Sequence, residues 1–281
     1  MKRRFAWGHL GRGVAYLLVA VMVVIQIYPI VWVAAASLKT PQELAGSAPF
    51  AMPAGFYIGN YIGAFEQSNL LRYLFNSTVV AVLTIVITIV LGAPASFAIE
   101  KLKFKGAKLA LGYFLLGIMI PIFVALLPMF QMFNGLGLRN TYWAMVLPQV
   151  AFGLPLCIYL YTGFMRYVPD SLIEAATIDG AGHFRIFLTI VFPLCGNVTV
   201  TIVTLSFLSV WNEFVFANTF MTDAAMKTLP VGLNDFVGAY GKTDFGLTYA
   251  AIMVSILPTL VLYFFLNKRV ISGVAAGAVR G

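Results

Sequence analysis

The sequence predicts an all-α integral membrane protein with six transmembrane helices and both termini cytoplasmic, on three observations. The 281 residues are 61% hydrophobic and only 10% charged, against roughly a quarter charged in soluble domains. A soluble core cannot absorb that much apolar surface. Six apolar stretches reach the roughly 20 residues that a helix needs to cross a hydrocarbon core of about 30 Å, and their runs lack the alternation of a spanning β-strand. Finally, thirteen of the eighteen Lys and Arg residues gather in alternate connections, and it is Lys and Arg placement that sets topology.

The spans fall near Val14–Leu38, Tyr73–Ile99, Leu109–Phe133, Tyr142–Gly163, Val198–Thr222 and Gly246–Asn267. The basic Met1-Lys2-Arg3-Arg4 start and Ala34-Ala35-Ala36 imitate a signal peptide. A secretory apolar region has about 7–15 residues, however, so an uncleaved first helix is expected. Lys2, Arg3, Arg4 and Arg12 precede span one, Lys101, Lys103, Lys105 and Lys108 join spans two and three, Arg166 and Arg185 flank the fourth junction, and Lys268, Arg269 and Arg280 follow span six. Only Lys39, Arg72, Arg139, Lys227 and Lys242 lie on the other side. This asymmetry accounts for the net charge of +8, and no nucleic-acid partner is needed to explain it.

Residues 1–281 read as one transmembrane domain without an internal repeat. Extracytoplasmic loops are expected at 39–72 and 223–245. The first carries Pro41, Pro49 and Pro53 with five aromatic residues between Phe50 and Phe65, which suits a short interfacial helix. Prolines 121, 128, 148 and 155 are expected to break spans three and four, and Pro94 to break span two.

A cytoplasmic loop at 164–190 holds the most informative segment. Ser171-Leu172-Ile173-Glu174 fits a capping box, in which the Ser171 hydroxyl accepts from the Glu174 N–H and the Glu174 carboxylate reaches back to Ser171. With Gly180 and Gly182 to end it, the loop predicts a helix over 171–180. Such a helix is too short to be stable alone. Ala175 and Ala176, flanked by Leu172 and Ile173, would offer a partner a small-residue face.

Catalytic chemistry finds no support. Gly241-Lys242-Thr243 resembles the end of a phosphate-binding loop, but the pattern requires glycine five residues before Gly241, where Phe236 stands. The chain therefore has no nucleotide site of its own. His9 and His183 stand alone, no metal-ligand spacing occurs, and Cys157 and Cys195 read as buried small hydrophobes. The ionisable group well inside a span is Glu213, in Trp211-Asn212-Glu213-Phe214. An intramembrane carboxylate faces the bundle interior or a water-filled cavity. Asn212 and Glu213 are thus candidates either for a translocation path or for helix packing, with Asn76, Gln131 and Gln149 as hydrogen-bond partners.

Glu174-Ala175-Ala176, then Gly180, then Ile190 and Pro193, resembles the EAA loop of permease subunits of binding-protein-dependent ABC importers. Trp211-Asn212-Glu213-Phe214, the Arg72-Tyr73-Leu74 to Asn76-Ser77 entry to span two and the tail from Gly273 to Gly281 are similar to the carbohydrate branch, in particular the maltose-type second permease. The departures are Phe192, where the family usually has Leu, and Ala275, where Thr is common. The resemblance implies a type I ABC importer permease fold and half of a translocation pathway in a bacterial or archaeal inner membrane. It implies, as partners, a second homologous permease, two ATP-binding subunits that hold ATP and Mg, an extracytoplasmic solute-binding protein, a sugar and membrane lipid. Ser171, Glu174, Ala175, Ala176 and Gly180 would couple to the ATPase. The alternatives are an ABC permease for a non-sugar solute, or a secondary transporter or channel using Glu213 as an ion site.

Overall fold

The computed structural model describes residues 3–46, 48, 50–236 and 243–278, with side chains from 11 to 265. Lys2, Gly241, Lys242 and Val279 to Gly281 therefore lie outside the described residues. Among the described residues the elements longer than one residue are helical: α1 (Arg3–Ala36), α2 (Pro41–Gly46), α3 (Gly59–Glu66), α4 (Leu70–Lys101), α5 (Ala107–Leu116), α6 (Ile122–Gly135) and α7 (Tyr142–Met165) form the first half. There follow α8 (Asp170–Ile178), α9 (His183–Ile186), α10 (Phe192–Leu194), α11 (Gly196–Trp211), α12 (Val215–Phe220), α13 (Leu229–Gly232) and α14 (Phe245–Ala278). Four helical stretches are long and apolar enough to cross a membrane, Gly11–Ala36, Leu70–Lys101, Tyr142–Met165 and Phe245–Phe265. Two more candidates are bent, Ala107–Met119 with Ile122–Gly135 at 93° and His183–Leu194 with Gly196–Trp211 at 77°, so the chain has six spans if each bent pair is one.

Two expectations about these breaks are corrected. The helices α4, α6 and α7 run unbroken through Pro94, Pro128, Pro148 and Pro155, because packed neighbours tolerate a freed carbonyl. The third span does break, at Ile120 and Pro121, both of which are extended (ψ 116° and 131°). Proline cannot donate to the preceding turn and pushes the residue before it out of the helical region. The fifth span also departs from a single helix over Val198–Thr222. It is preceded by an apolar helical stretch from His183, with a π-turn over Phe187–Val191, and it ends at Trp211. Pro193 removes a donor from that stretch, and the bend follows at Cys195 and Gly196.

The chain divides into two compact units, one of 1–68 with 235–256 and one of 69–234 with 257–281. In the first, the expected loop helix resolves into α2 and α3. Thr40 and Glu43 form a reciprocal capping box at α2: the Thr40 N–H donates to Glu43 Oε2 (2.8 Å) and the Glu43 N–H to Thr40 Oγ1 (3.3 Å). These backbone and hydroxyl donors hold the Glu43 carboxyl below the usual carboxylate range. The buried Asn60 of α3 donates to the carbonyls of Ser37 and Lys39, pinning α3 to the end of α1.

The second unit is organised around α4 lying along α7, with α11 packed on both. Gly92 permits this approach, since a Cβ there would stand 2.6 Å from Cys157 Sγ. A continuous core runs from Ala93 and Phe97 of α4 through Tyr161 and Met165 of α7 to Val198 and Ile202 of α11. Cys157 and Cys195 are both buried free thiols within it. At one end of this unit the chain ends of α4 and α7 meet α8. At the other, Asn76 donates to the carbonyls of Ala225 and Lys227 (both 2.9 Å), and the Leu229 N–H donates to Ser77 Oγ (2.8 Å).

Candidate functional site

The predicted loop helix exists as α8, and its two ends are fixed in different ways. Its C-terminus is a Schellman motif: the Ala181 N–H donates to Ala176 O (2.9 Å) and the Gly180 N–H to Thr177 O (3.0 Å). Gly180 takes φ +78°, the left-handed conformation that favours glycine.

The N-terminus overturns the expected capping box. Pro169 is the N-cap residue, in extended conformation, and no side chain caps the helix. Ser171 therefore lies inside the first turn, where its hydroxyl cannot reach forward to the Glu174 N–H as a capping residue would. The anchor is instead Asp170, whose Oδ1 and Oδ2 accept from Lys101 Nζ (2.8 Å) and Lys103 Nζ (2.6 Å). Lys101 also donates to Val168 O (2.6 Å), and its side chain is only 4% exposed. The Lys101 hydrogen bond, followed by that of Lys103, holds the Asp170 carboxyl at about 2. Lys103 reaches Asp170 from a left-handed backbone (φ 47°), and Arg166 adds a contact to Glu100 (3.4 Å). In the sequence, Lys101 and Lys103 read only as topology charges. An acid at the first helical position after proline was the available signal.

Ala175 and Ala176 do not share an outward face. Ala176 is buried in the unit's own core beside Ile173, whereas Ala175 is exposed. Helical spacing then places Ser171, Glu174, Ala175 and Ile178 on one exposed stripe. Ile178 is 86% exposed and Leu172 42%, with Phe184 72% exposed just beyond. The helix is thus fixed at both ends and presents a mixed polar and apolar face to solvent.

Glu213 lies at a helix break and not within a helix. α11 stops at Trp211, and the Glu213 carboxylate turns onto the start of α12, accepting from the Phe216 N–H (2.8 Å) and the Ala217 N–H (3.1 Å). Both oxygens thus satisfy backbone donors that a helix start leaves orphaned. The expected packing partners are engaged elsewhere: Asn76 accepts from the Tyr142 hydroxyl (2.8 Å), Gln149 donates to Met145 O (3.0 Å), and Gln131 is exposed. Asn212 is exposed and donates back to Leu208 O (2.8 Å), closing α11.

Glu213 does line a cavity of about 210 Å³ bounded by α4, α6, α7, α11 and α12, and Asn212 does not. Thr84, Thr88, Gln149, Ser206 and Ser209 supply its other polar lining, and Phe152 and Phe216 its aromatic wall. Thr84 and Thr88 sit one turn apart on α4, each 1% exposed, and among the described residues their Oγ1 atoms have no hydrogen-bond partner.

Four membrane-length helices and two bent pairs of apolar helices mark a multi-pass membrane protein. Residues 89–272 match the model of the family described as "binding-protein-dependent transport system inner membrane component". With this match across most of its length, the chain belongs to that family, whose members are transport subunits and not catalysts. It is 31% identical over 99% of its length to the diacetylchitobiose uptake system permease protein NgcG of Streptomyces coelicolor, covering 90% of that protein. It is 32% identical over 92% of its length to the trehalose/maltose transport system permease protein MalG of Thermococcus litoralis, covering 94% of it. Its fold matches a chain of a bacterial ABC transporter involved in import of the acidic polysaccharide alginate, with a TM-score of 0.81 at 18% identity over 92% of this chain and 96% of that one. The family assignment sets aside a self-coupled secondary transporter or channel.

Proposed function

We infer that this chain forms half of the translocation pathway of a carbohydrate importer, with α8 as the element that couples it to a separate ATPase. The observation that carries the coupling role is the build of α8: an exposed stripe of Ser171, Glu174, Ala175 and Ile178 on a helix clamped to α4 by Asp170 and closed by Gly180. A partner that grips it moves the packed unit behind it. Ala176, the third residue of the Glu174-Ala175-Ala176 motif, serves this role from the inside, as the small residue that seats α8 on the core.

The carbohydrate cargo is supported by the sugars in the relatives' names and by the hydroxyl- and carboxamide-lined cavity. In this reading there are six spans, each bent pair counting as one, and both termini and α8 are cytoplasmic. Loops 39–72 and 223–245 then face outward in a bacterial or archaeal inner membrane. The hydrogen bonds that join the ends of α4 and α7 to α8 support that topology by grouping Lys101, Lys103 and Arg166 at one end of the unit. A second permease, two ATPase subunits that bind ATP and Mg, and a solute-binding protein complete the assembly, and this chain binds no nucleotide. Cells lacking the chain should lose ATP-dependent uptake of a neutral sugar from a labelled mono- and oligosaccharide panel and regain it on complementation. Uptake of no sugar, with restored uptake of an amino acid or phosphate, would overturn the cargo.

A further inference from the structure

The connection between α4 and α5 carries a basic and apolar surface that the coupling role does not use. Leu102-Lys103-Phe104-Lys105-Gly106 is all that separates two helices of candidate spans, so it lies where both enter the bilayer. Lys103 (φ 47°) and Gly106 (φ 97°) take left-handed backbone and turn the chain there. Leu102 and Phe104 are exposed and alternate with the exposed Lys103 and Lys105, and exposed Lys108 follows in the first turn of α5.

The charges at this end are unevenly matched. Asp170 accepts from Lys101 and Lys103, Glu100 pairs with Arg166, and Glu174 adds its field at Lys103. Among the described residues, Lys105 and Lys108 have no ion pair, so two ammonium groups are left for an anion from outside the chain. What lies beside them identifies the carrier of that anion. Leu109, Tyr113 and Leu116 recur at helical spacing as one exposed stripe along α5 (79%, 75% and 60%), in a helix apolar enough to form part of a span. The lysines therefore stand at the head of a lipid-facing stripe. A lysine so placed lays its stem along apolar groups and keeps its ammonium at the polar level, and tyrosine favours the same interfacial depth. A free phosphate would satisfy the ammonium groups and leave Phe104 and Leu109 in water, whereas a phospholipid satisfies both.

We propose that Lys105 and Lys108, with Phe104 and Leu109, form a binding surface for the headgroup and upper acyl chains of an anionic phospholipid. The proposal rests on the reading that α4 and α5 cross the membrane, and it adds a lipid partner to the segment that, through Lys103, also holds α8.

The test uses the full transporter in nanodiscs of equal phosphatidylglycerol and phosphatidylcholine, with the photo-crosslinker benzoylphenylalanine in place of Leu109. The captured lipid should be predominantly phosphatidylglycerol. Attraction to an anionic surface is worth about fivefold in affinity per lysine, so Lys105→Gln/Lys108→Gln should bring the preference toward parity, a loss of up to about thirtyfold. Because neither side chain has an ion-pair partner, the variant should melt as wild type in pure phosphatidylcholine. Glycerol 1-phosphate at the concentration of the lipid should not compete. Equal capture of both lipids by the wild type, an undiminished preference in the variant, displacement by glycerol 1-phosphate, or capture of a protein chain in place of lipid would overturn the surface. A Leu116→Cys variant that reacts with a membrane-impermeant maleimide in the same nanodiscs would instead overturn the span reading on which it rests.

Discussion

Replacing Glu213 by Gln looks conservative, and the geometry of the α12 start makes it costly. The carboxylate spends one oxygen on the Phe216 N–H at 2.8 Å and the other on the Ala217 N–H at 3.1 Å. Glutamine offers one acceptor oxygen, and its NH₂ would face the second backbone donor. Hydrogen bonds to charged groups contribute roughly 1.5–3 kcal/mol each and neutral ones about 1 kcal/mol. Glu213→Gln thus loses one bond, weakens the other and leaves a donor unpaired, for about 2–3 kcal/mol of local stability. Glu213→Ala loses both bonds, so Gln should already show more than half of the Ala effect. The assay is apparent melting temperature in detergent for both variants, with hydrogen exchange across residues 214–221 to localise the change. A glutamine variant that melts as wild type, with unchanged exchange in that segment, would refute the capping role. Uptake is read in parallel, because a frayed α12 also opens the wall of the cavity that Glu213 and Phe216 line.

Four further outcomes are expected. A Cβ at Gly180 meets nothing within 4 Å, so Gly180→Ala costs only the left-handed backbone, about 1–2 kcal/mol; it should loosen ATPase co-purification and uptake, with Gly180→Asn restoring both. Glu174→Lys reverses the charge on the exposed stripe of α8 and should weaken the same association without removing the protein from the membrane. Asp170→Asn leaves the buried Lys101 ammonium without its counter-charge and should uncouple uptake from ATP hydrolysis. Because the Asp170 carboxyl is held at about 2, below its ordinary value near 3.9, its contribution is complete above about pH 4 and is lost as pH falls toward 2. Wild-type ATPase association should therefore be flat from pH 5 to 8, and a midpoint near pH 6 would refute the Asp170 assignment. For topology, a cysteine at Ser171 should be shielded from an impermeant thiol reagent in intact cells and one at Ala224 should react, and the reverse pattern would invert the orientation.

Helix content and the positions of the four unbroken spans were legible because a membrane leaves the backbone few choices: an apolar run long enough to cross must be helical. The end of α8 was legible for a similar reason, since Gly180 allows the left-handed turn that a Schellman motif requires. What could not be read were side-chain partners chosen by tertiary packing. Ser171 and Glu174 carried the capping-box pattern, but Pro169 began the helix two residues earlier than that pattern needs. The same pattern was real at Thr40 and Glu43, where Pro41 occupies the first helical position. Glu213 stood out as an intramembrane charge, yet nothing local announced that α11 would stop at Trp211 and present new orphan amides to it. Thr84 and Thr88 carried no signal at all, because threonines in apolar helices commonly return their hydroxyls to the preceding turn, as Thr201 and Thr204 do.

The Asp170 clasp has a mechanical consequence. It ties α8 to the last turn of a helix whose far end, at Asn76 and Ser77, grips the backbone of Ala225, Lys227 and Leu229. Between Asn76 and Lys101 that helix is a rod of about 38 Å, bedded along α7 for much of its length. A stiff rod converts a small rotation into a travel proportional to its length, so a tilt of about 5° pivoted at one end displaces the other by about 3 Å. A force on α8 would thus be carried along α4 to the segment at 225–229 at its far end. Spin labels at Ile178 and Ala224 would report the input and the output of that stroke in one distance.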